Sequence, residues 1–414
     1  FNTTATTTME IKAMSPPRPG VTTEGAGNAG TAPDISNVPE PPSLSRSKTY
    51  VWASGRPNVR VVVTGVAAAL PGREAQVFKP GVNNIQRIIA GENCITPIPG
   101  QVKDSMLEKN VVLLKKNKET GQNSRVPITS HDNNINLCAS LGDFDLTEYG
   151  VTQSIAATMD VSVQVAVAAG LEALKDAGIV TGDPSTGGWV LPQSMQATTG
   201  VVYATSFPAL DTAIAEVSKF FQSKMGTSHN VDAIIDSLRS RLEARLGNGE
   251  KLSKETEDAL AALASQAAKD EGTEAKEESR AATAPYEFDR KFLFRVLVLG
   301  NAQLAQIIKA RGPNMQTNAA CAGSTQAVAL AFDMIQVGRA ERMIVVAGDN
   351  AASDTLMPWL GNGFRALGAA TICSQLSLAS IPFDKRRSGM ILGAGGIGIV
   401  LESEEGANRR FALT

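Results

Sequence analysis

Apolar residues in this chain cluster in two rhythms, short β-branched runs and longer stretches spaced by three or four residues, and the two alternate. The first run, Val59 to Gly65, holds four valines and ends in glycine, which predicts a strand. A turn at Pro71-Gly72 and an amphipathic stretch from Val82 to Ala90 follow, giving strand, loop, helix. Val163, Val167, Leu171 and Leu174 recur at helical spacing between Asp160 and Ala177, and Gly178 ends that helix. Residues Thr199 to Ala204 read as a buried strand. Beyond residue 292 the alternation resumes: helix over Leu304 to Ala310, a lead through Asn318 to Ala320 into Cys321, helix over Ser324 to Val337, and strands over Met343 to Ala347 and Gly396 to Glu402. Alternating units with β-branched strands predict an α/β fold, a mixed sheet covered by helices.

Two regions break the rhythm. Residues 1–57 are rich in Thr, Ser, Pro, Gly and Asn, with Pro16, Pro17, Pro19, Pro33, Pro39, Pro41 and Pro42, and cannot bury enough apolar surface to offset chain entropy. They are expected to be a disordered linker; a transit peptide is the other reading, but no Arg-rich amphipathic pattern lies near Phe1. Residues 208–285 carry a stripe of Ile234, Leu238, Leu242 and Leu246 and then mostly Glu, Lys and Ala, which reads as an inserted helical hairpin. Such an arm either packs on its own subunit or docks a partner.

Composition narrows the function. With 39 basic and 41 acidic residues the chain has no general positive field for nucleic acid or anionic lipid. No uninterrupted apolar run reaches the roughly 18 residues of a membrane span. The four cysteines, Cys94, Cys138, Cys321 and Cys373, lie far apart without paired spacing, which points to a reducing compartment such as cytoplasm or plastid. Two histidines, His131 and His229, make a His-rich metal site untenable. The first residue is Phe1, and Thr414 closely follows a strand-like run, so the chain is expected to be a fragment.

Cys321 stands between tiny residues at a predicted helix start. There, unpaired backbone N–H groups and the positive end of the helix dipole favour negative charge on sulfur. Ala320, Ala322 and Gly323 leave room for a thioester carbonyl, and neighbouring N–H groups are placed to bond an oxyanion. The bland alternative is a small apolar side chain packed where a helix begins.

Residues 318–324, NAACAGS, resemble the nucleophile motif of the β-ketoacyl synthases. Other segments agree in order: RVVVTGV (60–66) with the opening strand, Ile88 to Ile98 with the following helix and turn, Asp160 to Gly178 with the helix ending in EALKDAG, Ala347 to Asn350 with a strand end, Phe364 to Leu367 with F-x-x-L, and Pro382 to Gly389 with PFD-x-x-R-x-G. Ala394 departs from the family's frequent GEGAG, which puts any contact of that Glu in doubt. The Asp384 to Arg387 turn has the plainer reading of a solvated loop.

The resemblance implies the N-terminal half of a thiolase-like, layered α-β-α-β-α fold over residues 58–405, with residues 406–414 opening a second half. It also implies a homodimer that accepts acyl groups on Cys321 from the phosphopantetheine of an acyl carrier protein, without a bound cofactor or metal. Decarboxylative Claisen condensation with a malonyl thioester would follow, in fatty acid or polyketide synthesis. Family members use two histidines from the second half, in motifs missing here. His131 and His229 match neither position and are expected on the surface, so this chain alone is expected not to complete condensation. A noncatalytic ketosynthase-like partner subunit is the first alternative; a degradative thiolase or hydroxymethylglutaryl synthase is the second, against which the Phe383 to Gly389 loop weighs.

Overall fold

A computed structural model describes residues 59–72, 77–78, 84–116, 121, 123–183, 187–228, 238–242, 253–270 and 286–412. The expected linker, His229, and Ile234 and Leu246 of the predicted stripe lie outside the described residues.

Five strands form the central sheet: β1 (Val61–Ala69), β2 (Thr199–Ala204), β3 (Asn314–Thr317), β4 (Arg342–Asn350) and β5 (Ala394–Ser403). Their order is β1-β5-β4-β2-β3. Strands β2, β3 and β4 run parallel, while β5 pairs antiparallel with both β4 and β1. The alternation of side chains sorts the strand residues onto two covered faces. Val201, Tyr203, Ile344, Val346 and Val400 enter one core, and Val202, Ala204, Met343, Val345 and Leu401 enter the other. Burial on both sides explains why these strands read as continuous apolar runs.

The first core is built on helix α1 (Val161–Asp176). Asp160 caps its start, accepting from the Ser162 N–H at 3.0 Å, and Gly178, at φ 66°, turns the chain out of it. This helix is apolar almost all round because it is covered almost all round. One side lies on β1, β4 and β5. Its cover includes Leu146, Tyr149, Trp189 and Leu191, with the rings of Tyr149 and Trp189 in tilted contact, centroids 5.3 Å apart. The seam with the sheet is made of small residues: a Cβ on Gly398, Gly65 or Gly348 would collide with the carbonyl oxygens of Ala169, Ala173 or Ser162.

Between residues 208 and 285 two helices are described, α2 (Leu210–Ser228) and α3 (Lys254–Asp270). Leu238 and Leu242 of the predicted stripe are exposed, 44% and 36% accessible, so they do not pack as core among the described residues. Helix α4 (Gly300–Ile308) joins the first core through Leu304, Ala305 and Ile308. Its start is earlier than the apolar spacing indicated, because Gly300, Asn301 and Ala302 carry no hydrophobic signal. Helix α5 (Gly323–Gln336) covers the opposite face of the sheet with Ala327, Ala331 and Ile335. The short helix α6 (Glu404–Phe411) closes the described chain.

At the amino end of β4 lies a buried ion cluster. Glu402 is wholly inaccessible, and Arg342 and Arg410 are 2% and 8% accessible. Arg342 Nε donates to Glu402 Oε1 at 2.8 Å, and Arg410 Nη2 donates to Oε2 at 2.7 Å. Arg410 Nη1 also reaches the Ala177 carbonyl at 2.6 Å, so α6, α1, β4 and β5 meet at one carboxylate. Burial alone would raise the Glu402 pKa, yet the Arg410 hydrogen bond and the Arg342 charge hold it below the usual carboxylate range.

Candidate active site

Parallel strands carry their chemistry at their carboxyl ends. Here β2, β3 and β4 deliver three segments to the same end of the sheet: the loop Thr205–Phe207, the turn Asn318–Ala322 and the pair Asp349–Asn350.

Cys321 belongs to the second. It is exposed, so the packed-cysteine alternative does not hold. The other three differ: Cys138 is buried with Sγ 3.2 Å from the Ser140 hydroxyl, and Cys94 and Cys373 are half-buried. Burial, followed by the charge of Glu92, raises the Cys94 thiol pKa and disfavours its thiolate.

The backbone around Cys321 is unusual. Ala320 adopts φ 47°, a left-handed conformation that costs an alanine about 1–2 kcal/mol. The turn is held from both sides. Ala320 N–H donates to Asn318 Oδ1 at 2.9 Å, and its carbonyl accepts from the Gly323 N–H at 2.9 Å and from the Ser206 hydroxyl at 3.2 Å. Two residues past the strained alanine the 14-residue helix α5 begins with Ala322 as its N-cap, and no side chain caps it. An uncapped start leaves the first-turn N–H groups to neighbours, solvent or a ligand.

Asp349 organises the first segment. Its Oδ1 accepts from the Thr205 hydroxyl at 2.9 Å, the Ser206 N–H at 2.9 Å and the Phe207 N–H at 3.1 Å. Asn350 turns the other way: its amide donates to Asp211 Oδ2 at 2.8 Å, and Ser353 donates to Oδ1 at 2.8 Å. Thr212 reaches Asp160 at 2.9 Å. The start of α2 is therefore tied to the carboxyl end of β4 and to the cap of α1. Burial, with the Asp160 charge nearby, pushes the Asp211 pKa up to about 6 against the lowering effect of Ser353 and Asn350.

The Beta-ketoacyl synthase, N-terminal domain, family model matches residues 58–231 and 252–407. The chain belongs to the β-ketoacyl synthase family. Its mixed sheet with helices on both faces is the thiolase-like fold of that family. A 3-oxoacyl-[acyl-carrier-protein] synthase 2 of Staphylococcus aureus is 34% identical over 114 residues, 28% of this chain and 27% of the relative. The matched segment thus spans about a quarter of that relative's length. Among solved structures, a β-ketoacyl synthase from Burkholderia phymatum aligns over 86% of this chain and 61% of its own, at 16% identity and a TM-score of 0.46. An oxazolomycin ketosynthase domain from Streptomyces albus aligns over 85% of this chain and 43% of its own, at 14% identity and 0.45.

His131 is on the surface, its Nε2 2.9 Å from Asp104. Phe364 packs against a satellite core around Met106 and Met357. The Asp384–Arg386 pair is an exposed turn, bonded at 2.7 Å, and beside it Phe383 is fully exposed at φ 66°. Arg386 donates to Asp384 and holds its pKa low. Ala394 opens β5, its N–H on the Ala139 carbonyl at 2.8 Å. Among the described residues no group of three or more His, Cys, Asp or Glu is placed to hold a metal, and no helix is long and apolar enough to cross a membrane. The roles of Thr205 and Ser206 carry no motif in the sequence, the one signal there being a polar Thr-Ser pair directly after a buried strand; Asp349 lies in the strand-end segment Ala347 to Asn350, which marks its place but not its partners.

Proposed function

We propose that this chain supplies the acyl-accepting part of a 3-oxoacyl-[acyl-carrier-protein] synthase-type condensing enzyme, with Cys321 as the nucleophile. The observation that carries the reading is an exposed cysteine set by a strained turn at the uncapped start of a 14-residue helix. The thiolate attacks the carbonyl carbon of an acyl thioester on the phosphopantetheine of an acyl carrier protein. A tetrahedral oxyanion forms, within reach of helix-start N–H groups, and collapses with cleavage of the bond to the pantetheine sulfur, which leaves as thiolate and takes a proton. The acyl group is left on Cys321. Condensation then needs donors that stabilise the enolate from a decarboxylated malonyl thioester. His131 is engaged at the surface with Asp104 and is not assigned to that step; in the enzyme proposed here, a homodimer, other groups serve as those donors. The setting is fatty acid or polyketide synthesis in cytoplasm or plastid.

The test is to incubate the full chain with a saturated acyl-pantetheine thioester and read acylated peptides by mass spectrometry. The acyl mass is expected on the peptide containing Cys321, labile to neutral hydroxylamine, and Cys321→Ser should reduce labelling at least about 100-fold because a hydroxyl is mostly protonated and a far weaker nucleophile. Equal labelling of the serine variant, or an unlabelled Cys321, would overturn the assignment and leave a noncatalytic ketosynthase-like subunit as the better description.

A further inference from the structure

We propose that Asp349 is a positioning residue for Cys321, acting through the hydroxyl of Ser206; the proposal rests on the acyl-acceptor reading of Cys321. The half-buried Asp349 carboxylate gathers three neutral donors from one loop, the Thr205 hydroxyl and the Ser206 and Phe207 N–H groups, at 2.9 to 3.1 Å. The Ser206 N–H also lies 3.1 Å from its second oxygen. Donors to a charged acceptor make the stronger class of hydrogen bond, and stranding them is costly, so this carboxylate fixes the loop.

What the fixed loop presents is the Ser206 hydroxyl, 3.2 Å from the Ala320 carbonyl. Of the contacts that hold the left-handed Ala320, those from Asn318 and Gly323 belong to its own segment, whereas Ser206 follows a different strand. The Ser206 bond thus ties the strained turn to the end of the neighbouring strand β2. Cys321 is the next residue, and the direction of its side chain inherits the Ala320 torsions. Strand β2 lies between β3 and β4, so the link runs from the end of β4 across the end of β2 to the turn after β3.

The experiment measures alkylation of the full chain by iodoacetamide against pH, peptide by peptide, with the half-buried Cys373 as reference within the same molecules. The high-pH plateau, where thiols are fully ionised, separates geometry from ionisation. Relative to Cys373, the plateau rate at Cys321 should fall about 10-fold in Asp349→Asn and about 3-fold in Ser206→Ala, since small misplacements of a reacting group carry large rate penalties. Ser206→Thr, which keeps the hydroxyl, should return it to within about 2-fold. An unchanged ratio in both variants overturns the proposal, as does a change shared equally by Cys321 and Cys373, which would mark general loosening. If Asp349→Asn fails to fold, Ser206→Ala and Ser206→Thr decide alone. Failure of acyl loading on the unsubstituted chain would remove the acyl-acceptor reading, while the alkylation ratio still judges the Asp349 to Ser206 link.

Discussion

Strand β4 carries one charged residue at its start, Arg342, and another next to its end, Asp349, and the two polar networks they join are built for different ends. At its start Arg342 meets Glu402, which Arg410 also holds, in a site whose three members are at most 8% accessible. Charges there answer charges, and the cluster joins four elements. Near its end Asp349 accepts from neutral donors among the described residues, and the chain it organises leads to a left-handed alanine and an exposed thiol. A buried ion cluster can be closed because nothing has to enter. The reactive end must stay open, so its order comes from hydrogen bonds to backbone rather than from covering side chains, and strain is kept beside the thiol.

Breaking the closed end should have the largest effect. Glu402→Ala leaves two buried guanidinium groups without their shared partner, and removing one member of such a cluster costs about 3–5 kcal/mol. Urea unfolding should show that loss, while the ratio of Cys321 to Cys373 alkylation in the folded protein stays unchanged; a shifted ratio would mean that the two ends of β4 are coupled. Its depressed pKa adds a pH dependence. The native state releases the Glu402 proton more readily than the unfolded chain does, so the stabilisation is present above the unfolded value of about 4.3 and is lost as pH falls through the folded value. The variant should therefore lose part of the acid sensitivity of the parent. A second, smaller effect should come from the seam between the two ends. Gly398→Ala places a methyl group against the Ala169 carbonyl and forces α1 off the sheet, an overpacking of about 1–3 kcal/mol. A thermal midpoint within error of the parent would mean that the helix has room to move.

The middle of β4 and the body of α1 were legible in the sequence, because Met343 to Val346 and Val163 to Leu174 are apolar runs whose rhythm names both element and face. Strand ends were not. β1 continues to Ala69 by pairing Ala67, Ala68 and Ala69 with Gly398, Ile397 and Gly396, and alanine and glycine carry no strand signal of their own. The edge strand Asn314–Thr317 is polar and half exposed, and in the hairpin of Val112–Lys116 with Asn123–Pro127 the second strand, NSRVP, is mostly polar. Cys321 could be picked out because its small neighbours and the following helix are local. Its supports could not: Ser206 and Ala320 are 114 residues apart, and Thr205 and Asp349 are 144 apart. The same holds for Arg342 and Glu402, which as charged residues at strand ends would ordinarily face solvent.

The smallest expected effect lies between the two networks in character, at Asp211, a half-buried carboxylate with no cation partner among the described residues. It is bonded to Asn350 and Ser353 and feels Asp160, and its pKa is pushed up to about 6. The sign is opposite to that of Glu402. Between the unfolded aspartate value near 3.9 and about 6 the native state holds the proton more tightly than the unfolded chain, so its contribution to stability is complete below that window and disappears as pH rises through it. Asp211→Asn keeps an oxygen for one partner and an amide that Ser353 can accept from, and it should raise stability at pH 7 by about 1 kcal/mol, a figure reduced for solvent screening at a half-buried site. It should also flatten the decline between pH 4 and 6. Unfolding curves of both proteins at pH 4, 5, 6 and 7 would check this: equal pH profiles would show that Asp211 ionises without penalty, and a loss of stability at pH 7 would show that its charge is needed to hold α2 on the end of β4.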